Sequence, residues 1–306
     1  MSAPAAFRQR LALRRVCGTI FAAVCGVLSL LGLALLSVLL IELFRRAGGV
    51  LSLEFLQRVP SRIEPGNSGV RPALLGTAWM VAITAIVAIP VGVGAAVYLQ
   101  EYARRGWFSR LVTLNIANLA GVPSIVYGIL GLVVFVRAGG AGRSLLAAGL
   151  TLALLVLPVI IIAAREALLA VPQTLRDAAY ALGATRWQTI WHHVLPAAMP
   201  GILTGVILAL SRAVGEAAPI LLIGALAFNV SAPGELYEGG SVLGWLQSAL
   251  LGDFSALPIQ IYIWTDEADP EFHRLAAGCI LVLLAVLLTM NSIAVALRAW
   301  HQRGGA

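Results

Sequence analysis

The sequence predicts an all-α membrane protein with six transmembrane helices, and both its composition and its apolar stretches support that fold class. Of the 306 residues, 60% are hydrophobic and 11% are charged, whereas soluble domains carry about 25% charged residues. The mean hydropathy is +0.92. Several apolar stretches reach the length of about 20 residues that a helix needs to cross about 30 Å of hydrocarbon. This composition excludes a disordered chain, a coiled coil and an ordinary cytosolic enzyme.

Six apolar stretches are candidate transmembrane helices. A basic segment precedes the first stretch, as in a signal peptide, but the uncharged run from Val16 to Ile41 exceeds the core of about 7–15 residues that a signal peptide has. We therefore interpret it as a retained helix. The fifth stretch is the weakest candidate because it contains Arg212 and Glu216. The six stretches are residues 18–41, 73–99, 111–136, 144–164, 201–224 and 275–297.

The arginines are distributed unequally between the two sides of these helices. Twelve of the 21 lie in the terminal tails or in the loops 100–110 and 165–200, and eight lie in the other loops. The acidic residues show the opposite bias, three against ten. Because cytoplasmic loops are enriched in basic residues, both termini are predicted to be cytoplasmic. The predicted segments are a tail (1–17), a first helix (18–41), an external loop (42–72), a transmembrane domain of five helices (73–297) and a second tail (298–306).

The two long external loops differ in their predicted structure. Residues 45–71 are rich in Pro, Gly and Ser, which indicates irregular backbone. The loop 225–274 is acidic but retains apolar stretches at 242–251 and 256–264, where we expect short helices. Three of its side chains suit the aromatic belt of a membrane interface, namely Trp245, Tyr262 and Trp264.

Few sites for enzymatic chemistry fit this sequence. All 21 basic residues are arginines, and a Walker A motif needs a lysine on the phosphates. The three cysteines lie in or beside apolar stretches and do not form a disulfide framework. His192 and His193 are adjacent, so on a helix they point about 100° apart and do not ligate one ion from one face. We therefore expect no enzymatic activity, no cofactor and no metal site, and arginines at the ends of apolar stretches argue against a nucleic-acid partner.

The loop 165–200 is the most informative part of the chain. Pro172 is tolerated in the first turn of a helix, residues 173–182 favour a helix, and Gly183 is a natural stop. A short exposed helix of this kind either docks onto another protein or lies on the lipid surface.

A second amphipathic segment follows in the same loop. Trp187, Ile190 and Trp191 recur at helical spacing. Pro196 and Pro200 are then expected to break the chain before the fifth transmembrane helix.

Six residues of this loop have the spacing of a known motif: Asp177, Ala178, Ala179, Gly183, Leu195 and Pro196. The pattern resembles the EAA motif of bacterial ABC-transporter permeases, E-A-A-x3-G-x9-I-x-L-P. Asp177 replaces Glu and retains its charge, and His193 replaces Ile. The resemblance implies that the loop is a coupling helix resting on a cytoplasmic ATPase, in agreement with the side that the arginines predict.

Two further segments carry a closer resemblance. Residues 118–128 read NLAGVPSIVYG and residues 211–219 read SRAVGEAAP. Both resemble signatures of bacterial phosphate-transport permeases. The Gly-Glu-x-Ala-Pro form, with residues 257–262 and 269–272, is similar to the PstA type. This resemblance implies the type I ABC importer permease (MetI-like) fold and translocation of inorganic phosphate across the bacterial inner membrane.

The same resemblance implies a set of partners. A related permease (PstC-like) would form a heterodimer with this chain, a cytoplasmic ATPase dimer (PstB-like) would hydrolyse ATP, and a phosphate-binding protein (PstS-like) would deliver the substrate. Two alternatives stay open. One is a permease for another oxyanion, such as molybdate or sulfate, and the other is a secondary transporter that acts alone.

Arg212 and Glu216 are candidates for the substrate pathway. An arginine in the middle of a transmembrane helix is costly and suggests a function. The two residues are four apart and share a helix face. A guanidinium matches the oxygens of a phosphate in a bidentate fork, and Glu216 would hold Arg212 in place. The alternative is a structural ion pair, or a bond to the partner permease.

Gly121 and Pro123 form a candidate hinge in the third stretch. Pro123 removes a backbone donor, and freed carbonyls at membrane depth are tolerated only beside protein or a water-filled cavity. Ser124 and Tyr127 are then expected to face the pathway. A packing kink is the alternative.

Overall fold

The computed structural model describes residues 5–104, 106–224, 231–235, 237 and 239–303. Every regular element in these residues is a helix, as predicted. Five continuous helical segments are long and apolar enough to cross a membrane, and a bent helix pair makes six if it counts as one crossing. Parts of the predicted tails and of the second external loop lie outside the described residues, namely 1–4, 304–306, 225–230, 236 and 238.

Thirteen α-helices follow one another in the described part of the chain. Their bounds are α1 Ala5–Arg46, α2 Leu53–Gln57, α3 Arg71–Val97, α4 Trp107–Ala120, α5 Ser124–Gly131, α6 Leu145–Leu169, α7 Gln173–Ala181, α8 Arg186–Thr189, α9 Leu195–Val214, α10 Ala218–Ile223, α11 Val242–Leu251, α12 Leu257–Asp266 and α13 Pro270–Arg303. Three π-helical turns extend α3, extend α5 and join α8 to α9, and they are Tyr98–Tyr102, Leu132–Ala138 and Ile190–Val194.

The centre of the bundle is formed by α3, α6 and α9. Apolar side chains of α6 are fully buried there, including Leu152, Val156 and Ile160. Small residues let the neighbouring helices approach α6. A Cβ on Gly92 of α3 would lie 2.6 Å from Cγ2 of Ile160, so this crossing has no room for a side chain. These close apolar contacts hold the three helices in a fixed arrangement, and the positions of their ends are fixed with them.

The fifth crossing differs from its predicted bounds of 201–224. Pro196 and Pro200 do not break it, and Arg186–Val214 is one continuous helical segment. Both prolines lie within this segment, and a proline inside a transmembrane helix is tolerated where a local π-helical adjustment accommodates the missing backbone donor. The π-turn Ile190–Val194 carries the helix directly into α9. The crossing therefore begins within the loop 165–200.

The first crossing, α1, lies at the edge of the bundle. Its membrane segment Cys17–Arg46 has no buried residues in its most apolar window. It contacts α13 near its carboxyl end, where Ala47 packs with Ala277 and Leu281. A guanidinium nitrogen of Arg274 donates to the carbonyl of the neighbouring Gly48 at 3.0 Å. Helix α1 ends at Arg46, five residues past the predicted end at residue 41.

The two predicted external loops meet at one end of the bundle. Arg62 and Glu267 form an ion pair at 3.4 Å, and Arg71 and Glu235 form another at 3.0 Å. The loop 45–71 is not wholly irregular, because it contains α2 and a 3-10 turn at Pro65–Asn67. We call this the 42–72 end of the bundle.

The expectation that Trp264 lies in an aromatic belt is wrong. Its side chain is 2% exposed, and its ring packs against Phe55 with 6.2 Å between the ring centroids. The predicted short helix 256–264 forms as α12 but packs against α3 and α13, which buries this side of it. Tyr262, on another side of α12, stays half exposed.

Candidate functional site

Helix α7 forms within the loop 165–200 as predicted. Pro172 precedes it, and it ends where Gly183 takes a φ of +83°, a conformation that costs glycine nothing. The amide of Gly183 donates to the carbonyl of Tyr180 at 2.9 Å, and the amide of Ala184 donates to that of Ala179 at 3.1 Å. This is the hydrogen-bond pattern of a Schellman cap. The prediction of a helix stopped by Gly183 is confirmed.

The motif residues divide between two faces of the loop. Asp177 and Ala178 are exposed, whereas Ala179 is buried. The carboxylate of Asp177 accepts a hydrogen bond from the side chain of Gln173 at 3.2 Å, which holds it on the surface of α7. Farther along, Leu195 is half-buried and Pro196 is exposed at the start of α9. The motif therefore presents a polar, accessible face on α7.

Arg176 points the other way, into the protein. A nitrogen of its guanidinium lies 2.8 Å from Oε1 of Glu101, and both side chains are 9% exposed. The same guanidinium donates to the carbonyls of Leu168 at 2.9 Å and Val171 at 2.8 Å. Arg186 donates to the backbone carbonyl of Glu101. The loops 100–110 and 165–200 therefore meet at one end of the bundle, which we call the 165–200 end.

The second amphipathic segment of the loop is helical, as its spacing predicts. Ile190 is 1% exposed and anchors the segment to the bundle. Trp187 and Trp191 lie on the outer side and stack on each other, with centroids 5.4 Å apart and an angle of 13° between their rings. Both indoles are more than half exposed. They extend the accessible surface of the loop beyond α7.

Sequence reasoning missed Glu101, Arg176 and Arg186 as members of this site. Glu101 and Arg176 are 75 positions apart, so no local pattern connects them. The available signal was indirect. Arg176 directly precedes the motif residue Asp177, and Glu101 lies in a loop predicted on the same side of the membrane.

The third predicted crossing, 111–136, is not one straight helix. Helices α4 and α5 are bent by 100° across Gly121–Pro123. Pro123 has no N–H to continue the helix and disfavours helical conformation at Val122, so α4 ends at Ala120. Hydropathy missed the bend because apolar residues continue on both sides of it. The hinge predicted at Gly121 and Pro123 coincides with this break.

Tyr127, on α5, forms a hydrogen bond across the break to the end of α4. Its hydroxyl donates to the carbonyl of Leu119 at 2.9 Å, and the residue is buried with 7% exposure. The same carbonyl also accepts from the amide of Val122 at 3.0 Å, so the last turn of α4 is bonded both by its own backbone and by α5. Ser124 is half-buried as the first residue of α5. That Ser124 and Tyr127 face a pathway stays a prediction.

Arg212 lies in the last turn of α9 and not in the middle of a transmembrane helix. Its Nε is 3.2 Å from Oε1 of Glu216, and the two side chains are 54% and 20% exposed. Helix α9 ends at Val214, and the amide of Gly215 donates to the carbonyl of Arg212 at 3.1 Å. The expected central position is wrong because the apolar stretch 201–224 contains this helix end.

The break between α4 and α5 lies next to the break between α9 and α10 in the fold. Helix α10 follows Glu216 and packs on α5, which follows Pro123. A Cβ on Gly128 would lie 2.7 Å from Cα of Pro219, so α5 and α10 touch backbone to backbone. The fold thereby links the segment of Gly121 and Pro123 to the segment of Arg212 and Glu216. The loop 165–200 lies apart, at its own end of the bundle.

Comparison with known proteins agrees with this geometry. Residues 88–304 match the family described as binding-protein-dependent transport system inner membrane component. The phosphate transport system permease protein PstA 1 of Mycobacterium tuberculosis is 37% identical over 233 residues, which cover 75% of this chain and 70% of that protein. The phosphate transport system permease protein PstA of Haemophilus influenzae is 32% identical over 265 residues, which cover 84% and 86%.

A likeness among solved structures shows the fold. A chain of the MetNI methionine ABC transporter superposes with a TM-score of 0.52 and 20% identity, over 76% of this chain and 95% of that chain. The predicted MetI-like permease fold is confirmed. The family match at residues 88–304 contains every candidate site residue.

Proposed function

The chain belongs to the family of binding-protein-dependent transport system inner membrane components, and we propose that it is the permease subunit of an ATP-driven importer of inorganic phosphate. The observation that carries this proposal is the 37% identity to a phosphate transport system permease across 75% of the chain. The protein is accordingly a multi-pass protein of the bacterial inner membrane.

The two ends of the bundle suit different partners. The 165–200 end faces the cytoplasm and an ATPase dimer (PstB-like), with the exposed Asp177 and Ala178 on the contact surface. The excess of arginines in these loops supports that orientation. The 42–72 end faces a phosphate-binding protein (PstS-like), and a related permease (PstC-like) completes the pathway. ATP is hydrolysed on the separate subunit, because this chain has no lysine for a Walker A motif.

The substrate pathway runs past the two helix breaks. Arg212 is more than half exposed on the surface of the single chain, which suits a group that meets an anion between two permeases. Its planar guanidinium stays charged at any working pH and matches phosphate oxygens in a bidentate fork. Glu216 holds the guanidinium through Nε and lowers the local positive charge, so the anion is released as well as bound.

Transport by the assembled complex in liposomes tests this function. The complex is purified with its partner subunits, and uptake of labelled phosphate is measured with ATP supplied on the ATPase side. We expect uptake of labelled phosphate that depends on ATP. An excess of unlabelled phosphate should compete with this uptake, whereas molybdate and sulfate should not. Preferential uptake of molybdate or sulfate would overturn the assigned substrate. Uptake that needs no ATP would instead indicate a secondary transporter.

A further inference from the structure

The loop 165–200 is joined to the end of α3 by a buried ion pair that the proposed coupling to an ATPase does not require. We propose that Glu101 and Arg176 form a clamp that passes the movement of α7 to α3, so that ATP hydrolysis is coupled to transport through α3 as well as through the continuous helix from Arg186 to Val214. This inference rests on the proposed function, because it assumes an ATPase that moves α7.

The clamp brings three helices together at one guanidinium. Arg176 on α7 binds the carboxylate of Glu101 beyond α3 and the carbonyls of Leu168 and Val171 at the end of α6. Each of these contacts is 2.8 to 2.9 Å long. A guanidinium that is held on several sides cannot move without its neighbours. Helix α7 is therefore tied through a charged bond to the π-turn that extends α3.

Stability alone is a weak reason to bury this pair. Taking two charges out of water is costly, and replacement of a buried ion pair by apolar side chains is often neutral or stabilising. Glu101 and Arg176 are each 9% exposed, in a chain in which 60% of residues are hydrophobic. The pair adds a directional link between α7 and α3 that an apolar contact does not supply.

Helix α3 is suited to carry movement to the opposite end of the bundle. From Gly76 to Glu101, α3 and the π-turn that extends it rise by 25 residue steps, or about 38 Å at 1.5 Å per residue. At its far end, Oγ1 of Thr77 accepts a hydrogen bond from the buried amide of Leu257 at 2.9 Å. Gly76 packs directly against the backbone of Ser255. Helix α3 thus connects the clamp to the segment before α12, at the 42–72 end.

Two variants of the clamp separate coupling from folding. Glu101→Gln keeps the side-chain shape and removes the charge. The double variant Glu101→Met with Arg176→Met removes both charges, so it leaves no buried charge unpaired. The complex carrying each variant is placed in liposomes, and labelled phosphate taken up is measured per ATP hydrolysed. We expect both variants to assemble and to hydrolyse ATP, with phosphate taken up per ATP lowered roughly tenfold, within the usual range of a coupling energy between two sites.

The double variant decides between a clamp and a merely structural pair. If the pair is merely structural, removal of both charges should restore the wild-type ratio of phosphate taken up to ATP hydrolysed, because no unpaired buried charge is left. A clamp predicts that the ratio stays low. Gln100→Ala is the matched control, since Gln100 is adjacent to Glu101 but its side chain accepts a hydrogen bond from Arg165 on α6. We expect its ratio to be unchanged.

Three results would overturn the clamp. They are a ratio within twofold of wild type in the assembled double variant, an equal loss in Gln100→Ala, and failure of both clamp variants to assemble, which would assign the pair to stability alone. Wild-type complex is measured in parallel to separate this test from that of the proposed function. If the wild-type complex takes up no phosphate with ATP, the proposed function fails. If it does and the clamp variants keep its ratio, only the clamp fails.

Discussion

The Nε of Arg212 lies 3.2 Å from Oε1 of Glu216, and the helix that carries Arg212 ends between them at Val214. The pair therefore bridges a helix end and does not lie along a continuous helix. A cation in the last turn of a helix is favoured by the helix dipole. Glu216 is the less exposed of the two, with 20% exposure against 54% for Arg212. This arrangement fixes the guanidinium at one nitrogen and leaves the side chain accessible.

Replacement of Arg212 is expected to stop transport without preventing assembly. Arg212→Ala removes the guanidinium that we propose as the contact of the anion, so we expect phosphate uptake by the complex to fall to background. Arg212→Lys keeps the charge as a single point and should retain partial uptake. Uptake of labelled phosphate and the yield of purified complex are measured together.

Arg46→Ala is the control for Arg212→Ala. Arg46 also forms an i,i+4 pair, with Glu42 at 2.8 Å, on the exposed carboxyl end of α1. Its loss is expected to leave uptake unchanged, since exposed pairs contribute about 0.2–1 kcal/mol. Normal uptake by an assembled Arg212→Ala complex would contradict the role of Arg212 as an anion contact.

The break between α4 and α5 is expected to depend on Pro123. Pro123→Ala restores a backbone donor and permits helical conformation at Val122, so it favours a straighter path. We expect ATP hydrolysis to continue while phosphate uptake per ATP falls. Pro90→Ala is the control, because Pro90 lies inside α3, where the helix continues through it. Equal effects of the two substitutions would refute a special role for the break.

The cap of α7 is expected to depend on the conformation of Gly183. At a φ of +83°, a β-branched residue is strained, and a left-handed conformation costs an L-residue about 1–2 kcal/mol. Asn tolerates this region better. We therefore expect Gly183→Val to reduce the amount of ATPase that co-purifies with the permease, and Gly183→Asn to reduce it less. The same yield for both variants would argue that the cap does not position α7.

Local patterns predicted α7 well and the longer helices less well. Pro172 and Gly183 mark the ends of α7 by short-range backbone chemistry, and the structure agrees with both. Apolar stretches located the crossings, but hydropathy carries no direction. It therefore missed the 100° bend at Gly121–Pro123. It also missed the end of α9 at Val214, which places Arg212 in the last turn of the helix and not in its middle. Pro196 misled the prediction because a transmembrane helix continues through a proline where a π-helical turn, here Ile190–Val194, adjusts the backbone hydrogen bonds.

Long-range contacts account for what the sequence left undetermined. Glu101 and Arg176 meet across 75 positions, and nothing in either local segment indicates the other. Trp264 was assigned to the membrane interface from its residue type alone. The packing of α12 buries it against Phe55 instead. Both cases depend on how helices assemble, which short patterns do not encode.

The central claim is that this chain carries phosphate and is driven through α7, and one measurement tests it most directly. Labelled phosphate uptake is compared in cells that lack only this chain, in the same cells with the chain restored, and in cells restored with Asp177→Arg. Asp177 is exposed on α7, so reversal of its charge should weaken contact with the ATPase while leaving the fold intact.

The account predicts that removal of the chain abolishes the uptake, that the wild-type chain restores it, and that Asp177→Arg does not, although the variant protein is present in the membrane. Full phosphate uptake without the chain, in cells shown to contain no second phosphate importer, would contradict the account. Full rescue by Asp177→Arg would contradict the role of α7 in coupling.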